Sequence, residues 1–226
     1  MNTVDRPLQD HYWEFLRQRD EYLEDPTPAL PWWMSRGDEP LNPTEVKLFE
    51  FVASARSVVD VGAGDGRIKQ KFLGAGFSGS YATVDSSAEF EPDYSSIEAL
   101  PTATFEAALL LEVIEHVTLS AFDGFMDHVL RCLTPDGRLV VTTPNAAYLG
   151  SIWEADMTHV HAYRLQDLAA YLHLRGFDCQ LFRISWQPPR PTVTQRLRLL
   201  SAKVVTRWML QLDYAKGVLV LAQRRD

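Results

Sequence analysis

The stretch Ser57-Val58-Val59-Asp60-Val61-Gly62-Ala63-Gly64-Asp65-Gly66 decides the fold, because an apolar run passes directly into a glycine-rich turn. The run is short and rich in valine, which predicts a buried strand near 57–61. Glycine permits a sharp bend of the backbone and leaves room for a ligand where a Cβ would collide. A helix is expected near 66–75, so this stretch indicates a strand, a ligand-binding turn and a helix. One such turn does not identify the ligand.

Two aspartates narrow the class of ligand. Asp60 ends the first strand before the first glycine, which suggests a carboxylate aimed at a cationic or donor-rich ligand. Asp85 ends a second strand near 80–84, where an acid accepts hydrogen bonds from both ribose hydroxyls of nicotinamide or adenosyl cofactors alike. Asp85 alternatively begins a turn with Ser86. The glycines at 62, 64 and 66 depart from the Gly-x-Gly-x-x-Gly spacing of dinucleotide sites.

The chain from residue 57 onward alternates short apolar runs with helical segments, a pattern typical of parallel βαβ units. Strands are expected near 57–61, 80–84, 106–111, 137–143, 178–186 and 216–223, with helices near 66–75, 120–133 and 164–175. In 194–212 a stripe of large apolar residues, with Arg196, Lys203 and Arg207 elsewhere, predicts an amphipathic helix; the stripe is Leu197, Leu200, Val204, Trp208 and Leu212.

The N-terminal region has a different pattern. Apolar spacing predicts a helix over 9–24 and a second one over 43–53, separated by a proline-rich stretch. Between them, Pro31-Trp32-Trp33-Met34 is expected to be an apolar loop that either packs the N-terminal region onto the core or contacts the substrate. We therefore divide the chain into a helical cap, 1–53, and one domain, 54–226, with a helical insertion at 187–212.

Composition restricts the partners and the compartment. The 226 residues are 46% hydrophobic, enough for one α/β core. The net charge is −8, but residues 181–226 hold nine Lys/Arg against two Asp, which leaves −15 on 1–180. This balance argues against a nucleic-acid surface over the whole protein, while the basic tail is either a solvated helix face or a local anion contact. No signal peptide, membrane span or metal-type cysteine spacing is seen, so we expect a cytoplasmic protein.

Several motifs together resemble one family. Residues 60–66 resemble the first motif of the class I S-adenosylmethionine-dependent methyltransferases, and Asp85 resembles their ribose-binding acid. The other similar segments follow in the family's order: Ile97–Pro101 and Phe105-Glu106 past the adenine, Leu110–Val117 after the fourth strand, Leu133–Leu139 before the fifth, and Gly176-Phe177 before the sixth. The family more often has Asp where Glu106 stands. The ordered set covers roughly 55–186 and the last strand, and it is more specific than any single motif.

The resemblance implies a fold and a cofactor. The fold is an α/β, Rossmann-like, doubly wound sheet of seven strands, mostly parallel, with an antiparallel last strand. The cofactor is S-adenosylmethionine, bound at the carboxyl ends of the strands. The residues that match cofactor-binding positions of the family are Asp60, Gly62, Ala63, Gly64, Asp85, Ser86, Ile97, Glu98 and Glu112.

A group of acids and histidines follows the fourth strand. Glu112, Glu115 and His116 share one face if a helix begins there, and His159 and His161 should return to the same rim. Three roles are open: plain architecture, a general base at His116 or His161, or a divalent ion held by Glu112, Glu115, His116 and His161. The pattern resembles the ubiquinone-pathway O-methyltransferases and the small-RNA 2′-hydroxyl methyltransferases, of which the latter place a metal there.

These observations favour methyl transfer to a small hydroxyl-bearing acceptor. Trp32, Trp33, the 145–161 loop and the 187–212 insertion are expected to form its pocket. Three alternatives stay open: RNA 2′-hydroxyl methylation, a nicotinamide-dependent oxidoreductase, and a non-catalytic adenosyl-binding subunit.

Overall fold

A seven-stranded sheet forms the centre of the computed structural model, which describes residues 12–24, 27–148, 156–210 and 213–225. The strands are β1 Ala29–Trp32, β2 Ser57–Val61, β3 Ser80–Val84, β4 Phe105–Leu111, β5 Leu133–Pro144, β6 Phe177–Trp186 and β7 Gly217–Arg224. Their order in the sheet is β1-β6-β7-β5-β4-β2-β3. Only β7 runs antiparallel to its neighbours, β5 and β6. The mixed doubly wound sheet expected from the sequence is confirmed.

The described residues form six α-helices, most of which lie on the two faces of the sheet. They are α1 Tyr12–Glu24, α2 Pro43–Val52, α3 Arg67–Gly74, α4 Leu119–Cys132, α5 Leu165–Leu174 and α6 Val193–Val204. Phe122 of α4 and Leu168 of α5 are buried in the core on one face, and α1 packs on α5. Leu48 of α2 and Phe72 of α3 are buried in the core on the other face. Burial of such side chains is the main driving force for this arrangement.

The seventh strand comes from the N-terminal region and not from the part of the sequence in which strands were predicted. β1 pairs in parallel with β6, with Pro31 opposite Ser185 and Trp32 opposite Trp186. The expectation that Pro31 and Trp32 lie in a loop is therefore wrong. Proline lacks the N–H that a central strand needs, but β1 pairs with β6 alone, and an edge strand tolerates proline.

The helix predicted in the 187–212 insertion is present, and its last turn is π-helical. α6 continues into a π-helical turn at Val205–Met209, so the helix predicted over 194–212 spans 193–209. Of the predicted stripe, Leu212 and the side chain of Trp208 lie outside the part that the structure describes. No helix within the described ranges has the length and apolar character needed to cross a membrane.

Candidate functional site

A cavity of about 560 Å³ opens at the carboxyl ends of the parallel strands. The end of β2 supplies Asp60, and the glycine turn that follows it (62–66) supplies Gly62, Ala63 and Gly64. The segment after β4 supplies Glu112, Glu115 and His116. This is the rim at which open α/β sheets bind ligands, because loops diverge there.

The glycine turn has a fixed backbone shape. The N–H groups of Gly62 and Ala63 both donate to the carbonyl oxygen of Val84, at 2.8 and 3.1 Å. Gly62 has a φ of 73°, and a Cβ there would lie 2.5 Å from a methyl carbon of Val113. Gly64 has a φ of 51°, and a Cβ there would meet no atom within 4 Å. Positive φ and close approach both require glycine, so the turn leaves backbone exposed to the cavity.

Asp60 is a buried carboxylate at the wall of this cavity. It is 2% exposed and accepts a hydrogen bond of 2.8 Å from the hydroxyl of Tyr81. Burial raises its pKa to about 7, and Asp85 adds to that effect. A cation placed in the cavity would favour the ionised form, so Asp60 is suited to an ammonium group.

Asp85 holds the glycine turn from outside the cavity lining. Its carboxylate accepts from the N–H of Gly64 and from the N–H of Ser87, each at 2.8 Å. Both the turn-forming role and the ribose-binding role fit this position, because each carboxylate oxygen retains a second lone pair. Ser86 lies beside it, exposed and outside the lining.

Ile97 and Glu98 lie on a short 3-10 helix, Ile97–Ala99, and neither lines the cavity. Ile97 packs against the core, while Glu98 is exposed. Hydrogen bonds from its own backbone and from the Ser96 side chain lower the pKa of Glu98. The structure thus brings Asp60, the glycine turn and Glu112 to the cavity, and leaves Asp85, Ser86, Ile97 and Glu98 outside its lining.

Glu112 has an unusual backbone conformation. Its φ is 56°, in the region that favours glycine, and its N–H bonds the carbonyl and the hydroxyl oxygens of Thr142, both at 3.1 Å. Its side chain is exposed on the side of the cavity that it lines. Desolvation of its carboxyl group by the surrounding atoms, together with the charge of Glu115, raises the pKa of Glu112 to about 7. Such backbone strain persists at functional sites, where the surroundings enforce it.

Glu115 is a buried acid with one oxygen left without a hydrogen bond. It is 1% exposed, and its Oε2 accepts from the hydroxyl of Thr143 at 2.9 Å. Its Oε1 has no hydrogen-bond partner among the described residues and lies 3.9 Å from Nε2 of His159. Burial raises the pKa of Glu115 to about 7. An orphaned buried oxygen is costly, so a proton or a cation is expected there.

The three histidines are not equivalent. His116 lines the cavity, and its Nδ1 lies 3.1 Å from the carbonyl oxygen of Thr158. A carbonyl only accepts, so Nδ1 carries the proton and the neutral ring has its lone pair on Nε2. His159 also lines the cavity, with its ring centroid 4.9 Å from that of His116. The ring of His161 instead packs on Tyr163 at 4.7 Å, outside the lining.

Of the two later histidines, the structure thus brings His159 to the cavity and leaves His161, named in the sequence analysis, outside its lining. Glu115, His116 and His159 each offer one ligand atom, and these atoms lie within 4.8 Å of one another. The orphaned Oε1 of Glu115 is one atom that a cation would satisfy. The set fits a divalent ion with mixed oxygen and nitrogen ligation.

One buried ion pair beside the cavity was missed in the sequence. Nζ of Lys71, on α3, bonds both carboxylate oxygens of Glu45 at 2.7 and 2.6 Å and also bonds Ser35. Glu45 and Ser35 line the cavity. The missed signal was Asn42-Pro43-Thr44-Glu45, a capping box in which Asn42 and Glu45 bond each other's N–H. It places the carboxylate at the start of α2.

The wall opposite the glycine turn is aromatic. Trp32 of β1 and Trp186 of β6 line the cavity, with ring centroids 4.8 Å apart. Trp33 does not line it, and its carbonyl accepts from the Asn42 side chain at 3.0 Å. The described residues of the 187–212 insertion do not line it either, contrary to expectation. Of the 145–161 loop, Asp156 and His159 line it, and 149–155 lie outside the described residues.

Comparison with known proteins identifies the family. The family model described as "Methyltransferase domain" matches residues 15–181. A search of the curated proteins finds no match to this sequence.

Three solved structures illustrate the likeness of fold. An S-adenosylmethionine-dependent methyltransferase from Archaeoglobus fulgidus has a TM-score of 0.61 at 15% identity, over 80% of this chain and 93% of that one. One from Mesorhizobium loti has a TM-score of 0.55 at 19% identity, over 80% and 96%. The 1,6-didemethyltoxoflavin-N1-methyltransferase of Burkholderia thailandensis, with 1,6-didemethyltoxoflavin and S-adenosylhomocysteine bound, has 0.54 at 16% identity, over 96% and 87%.

The family match covers most of the chain and includes the glycine turn, Asp85 and the segment after β4. It removes the nicotinamide-dependent oxidoreductase from the alternatives that the glycine turn left open. The cavity fits the adenosyl ligand of this family, with a backbone cradle at Gly62–Gly64 beside a buried acid. The chain therefore belongs to the class I S-adenosylmethionine-dependent methyltransferases.

Proposed function

We propose that the protein methylates a hydroxyl group of a small acceptor bound in this cavity. The observation that carries the proposal is His116, which lines the cavity together with the glycine turn and Asp60, and whose Nδ1 contact with Thr158 leaves Nε2 to accept a proton. A hydroxyl must lose its proton when it is methylated, and an imidazole of fixed tautomer is suited to accept it.

The residues divide into two groups by role. Asp60, beside the glycine turn, would hold the ammonium group of S-adenosylmethionine, and Asp85 would hold its ribose. The bound cofactor supplies an electrophilic methyl group on a sulfonium sulfur. His116 removes the acceptor proton, and the Trp32–Trp186 wall excludes water and orients an apolar part of the acceptor. The neighbour from Burkholderia thailandensis, which binds 1,6-didemethyltoxoflavin, supports a small molecule as acceptor.

The test compares His116→Ala with His161→Ala, a matched control at a histidine outside the lining. S-adenosylhomocysteine formation is measured against a panel of phenols and alcohols, and the methylated atom is identified by NMR. We expect turnover in His116→Ala to fall by about 10²- to 10⁴-fold, with little change in the Kd for S-adenosylhomocysteine. Turnover in His161→Ala should stay within about threefold. Equal rates in His116→Ala and the wild type, or N-methyl products alone, would contradict the proposal.

A metal-assisted form of the same reaction is the second candidate, because Glu115 has an orphaned oxygen beside two histidines. The readout is the shift of Tm with Mn²⁺, compared between the wild type and Glu115→Gln. A shift of Tm in the wild type that Glu115→Gln loses supports the metal. No shift in either protein supports proton transfer to His116 without a metal. RNA is disfavoured as acceptor because acids dominate the charged groups of the lining. A non-catalytic subunit would bind S-adenosylmethionine but form no S-adenosylhomocysteine with any acceptor.

A further inference from the structure

Helix α6 carries an exposed apolar face with no partner among the described residues. Val193, Leu197, Leu200 and Val204 recur at helical spacing and are each 49–73% exposed, and they form what we term the α6 face. None of the side chains of α6 is buried. Large apolar residues scattered singly on a surface need no explanation, but a continuous stripe of four marks an interaction site.

The opposite side of the helix shows that this exposure belongs to one face. Leu199 and Lys203 are half-buried, and Thr206, one turn beyond, is buried. Nζ of Lys203 lies 5.0 Å from the ring centroid of Tyr214, next to the start of β7. The helix is thus attached to the domain along one side, and the α6 face points away from it.

The charges around the α6 face indicate what covers it. Residues 187–212 contain five Lys/Arg and no Asp or Glu, although the whole chain carries a net charge of −8. A second copy of α6 laid against the first would bring two cationic segments together without compensating acids. An anionic lipid surface accepts the apolar stripe and attracts the flanking cations at once.

We infer that α6 docks the protein onto an anionic membrane surface, with the α6 face in the interface and the flanking arginines at the lipid headgroups. This inference goes beyond the proposed reaction and does not depend on it. α6 follows β6 and precedes β7 at the carboxyl edge of the sheet, where Trp186 and Gly217 line the cavity. Docking through α6 therefore brings that edge, and the cavity in it, toward the lipid surface.

The experiment measures binding of the full chain to vesicles by co-sedimentation. One vesicle is phosphatidylcholine alone, and the other is an equimolar mixture with phosphatidylglycerol. We expect the mixed vesicles to bind at least about tenfold more tightly, with binding that weakens as salt rises. Leu197→Ser combined with Leu200→Ser should lower the affinity at least about tenfold.

A further variant tests the ionic contribution to binding, and another serves as the matched control. Arg196→Gln combined with Arg198→Gln should weaken binding by about 25-fold, at about fivefold for each cation. Leu73→Ser combined with Leu119→Ser, at exposed leucines on α3 and α4, is the matched control and should bind as the wild type does. Circular dichroism checks that each variant is folded.

Three outcomes would overturn the inference. The first is equal affinity of the wild type for both kinds of vesicle. The second is binding that the Leu197/Leu200 variant retains in full. The third is a wild-type dimer in sedimentation velocity that this variant converts to a monomer, because the α6 face would then be an interface between copies of the chain.

Discussion

Replacing Asp60 by asparagine removes a buried titratable group while keeping its shape and its acceptor for the Tyr81 hydroxyl. Burial raises the pKa of Asp60 from 3.8 to about 7, so between these values the folded protein holds a proton that the unfolded chain has released. The contribution of Asp60 to the unfolding free energy of the wild type therefore falls by about 4 kcal/mol in total as pH rises through this window. Above the window this contribution is constant. Asparagine does not titrate, so the variant lacks this decline.

The assay is urea unfolding of both proteins at about pH 5 and about pH 8, where the difference in unfolding free energy should grow by about 3 kcal/mol in favour of Asp60→Asn. Shifts at Glu112 and Glu115 are common to both proteins and cancel in the difference. Asp20→Asn, at an exposed aspartate, serves as control.

Asp60→Asn should also bind S-adenosylhomocysteine about ten- to a hundredfold more weakly at pH 8, because the ligand's ammonium loses its anion. If the difference in unfolding free energy between the two proteins is the same at both pH values, Asp60 is not a buried neutral acid. If the affinity for S-adenosylhomocysteine is unchanged, Asp60 does not contact the ligand.

Three further substitutions test the walls of the cavity. Gly62→Ala places a Cβ 2.5 Å from Val113 at a positive φ. It should lower the unfolding free energy in urea by about 1–3 kcal/mol and weaken the binding of S-adenosylhomocysteine. A variant that is as stable and binds as tightly as the wild type would show that the glycine turn does not hold the ligand. Lys71→Met leaves the carboxylate of Glu45 buried without its cation and should lower the unfolding free energy by about 3–5 kcal/mol; a loss below about 1 kcal/mol would mean that water reaches the pair. Trp32→Ala should raise the KM of the acceptor more than the Kd of the cofactor, and equal changes would remove it from the acceptor side.

The strands from β2 onward were predictable because each contains a short segment rich in apolar, β-branched or aromatic residues, with turn residues nearby. β1 was not, since it has four residues, includes Pro31, and is specified only by pairing with β6 far along the chain. Local pattern carries no information about such a partner. The same pairing places Trp32, which was expected at the pocket, against Trp186, which was not.

The acids after β4 were visible from their spacing, but the choice of the later histidine was not. The N–H groups of Val160 and His161 both donate to the carbonyl oxygen of Glu115, at 2.8 and 3.2 Å. This backbone contact fixes the path of the loop, so that the ring of His159 enters the cavity and that of His161 turns to Tyr163. Two histidines separated by one residue cannot be told apart without that path.

The N-terminal segment joins two opposite sides of the ligand site, since β1 adds to the sheet at β6 and Glu45 binds Lys71 on the helix that follows the glycine turn. Attachment of this segment to the domain and binding of a ligand in the site therefore strengthen each other. A ligand that touches both sides makes residues 29–52 harder to detach, and whatever detaches them lowers ligand affinity by the same factor. Protection of this segment from proteases should thus report occupancy of the site before any acceptor is known.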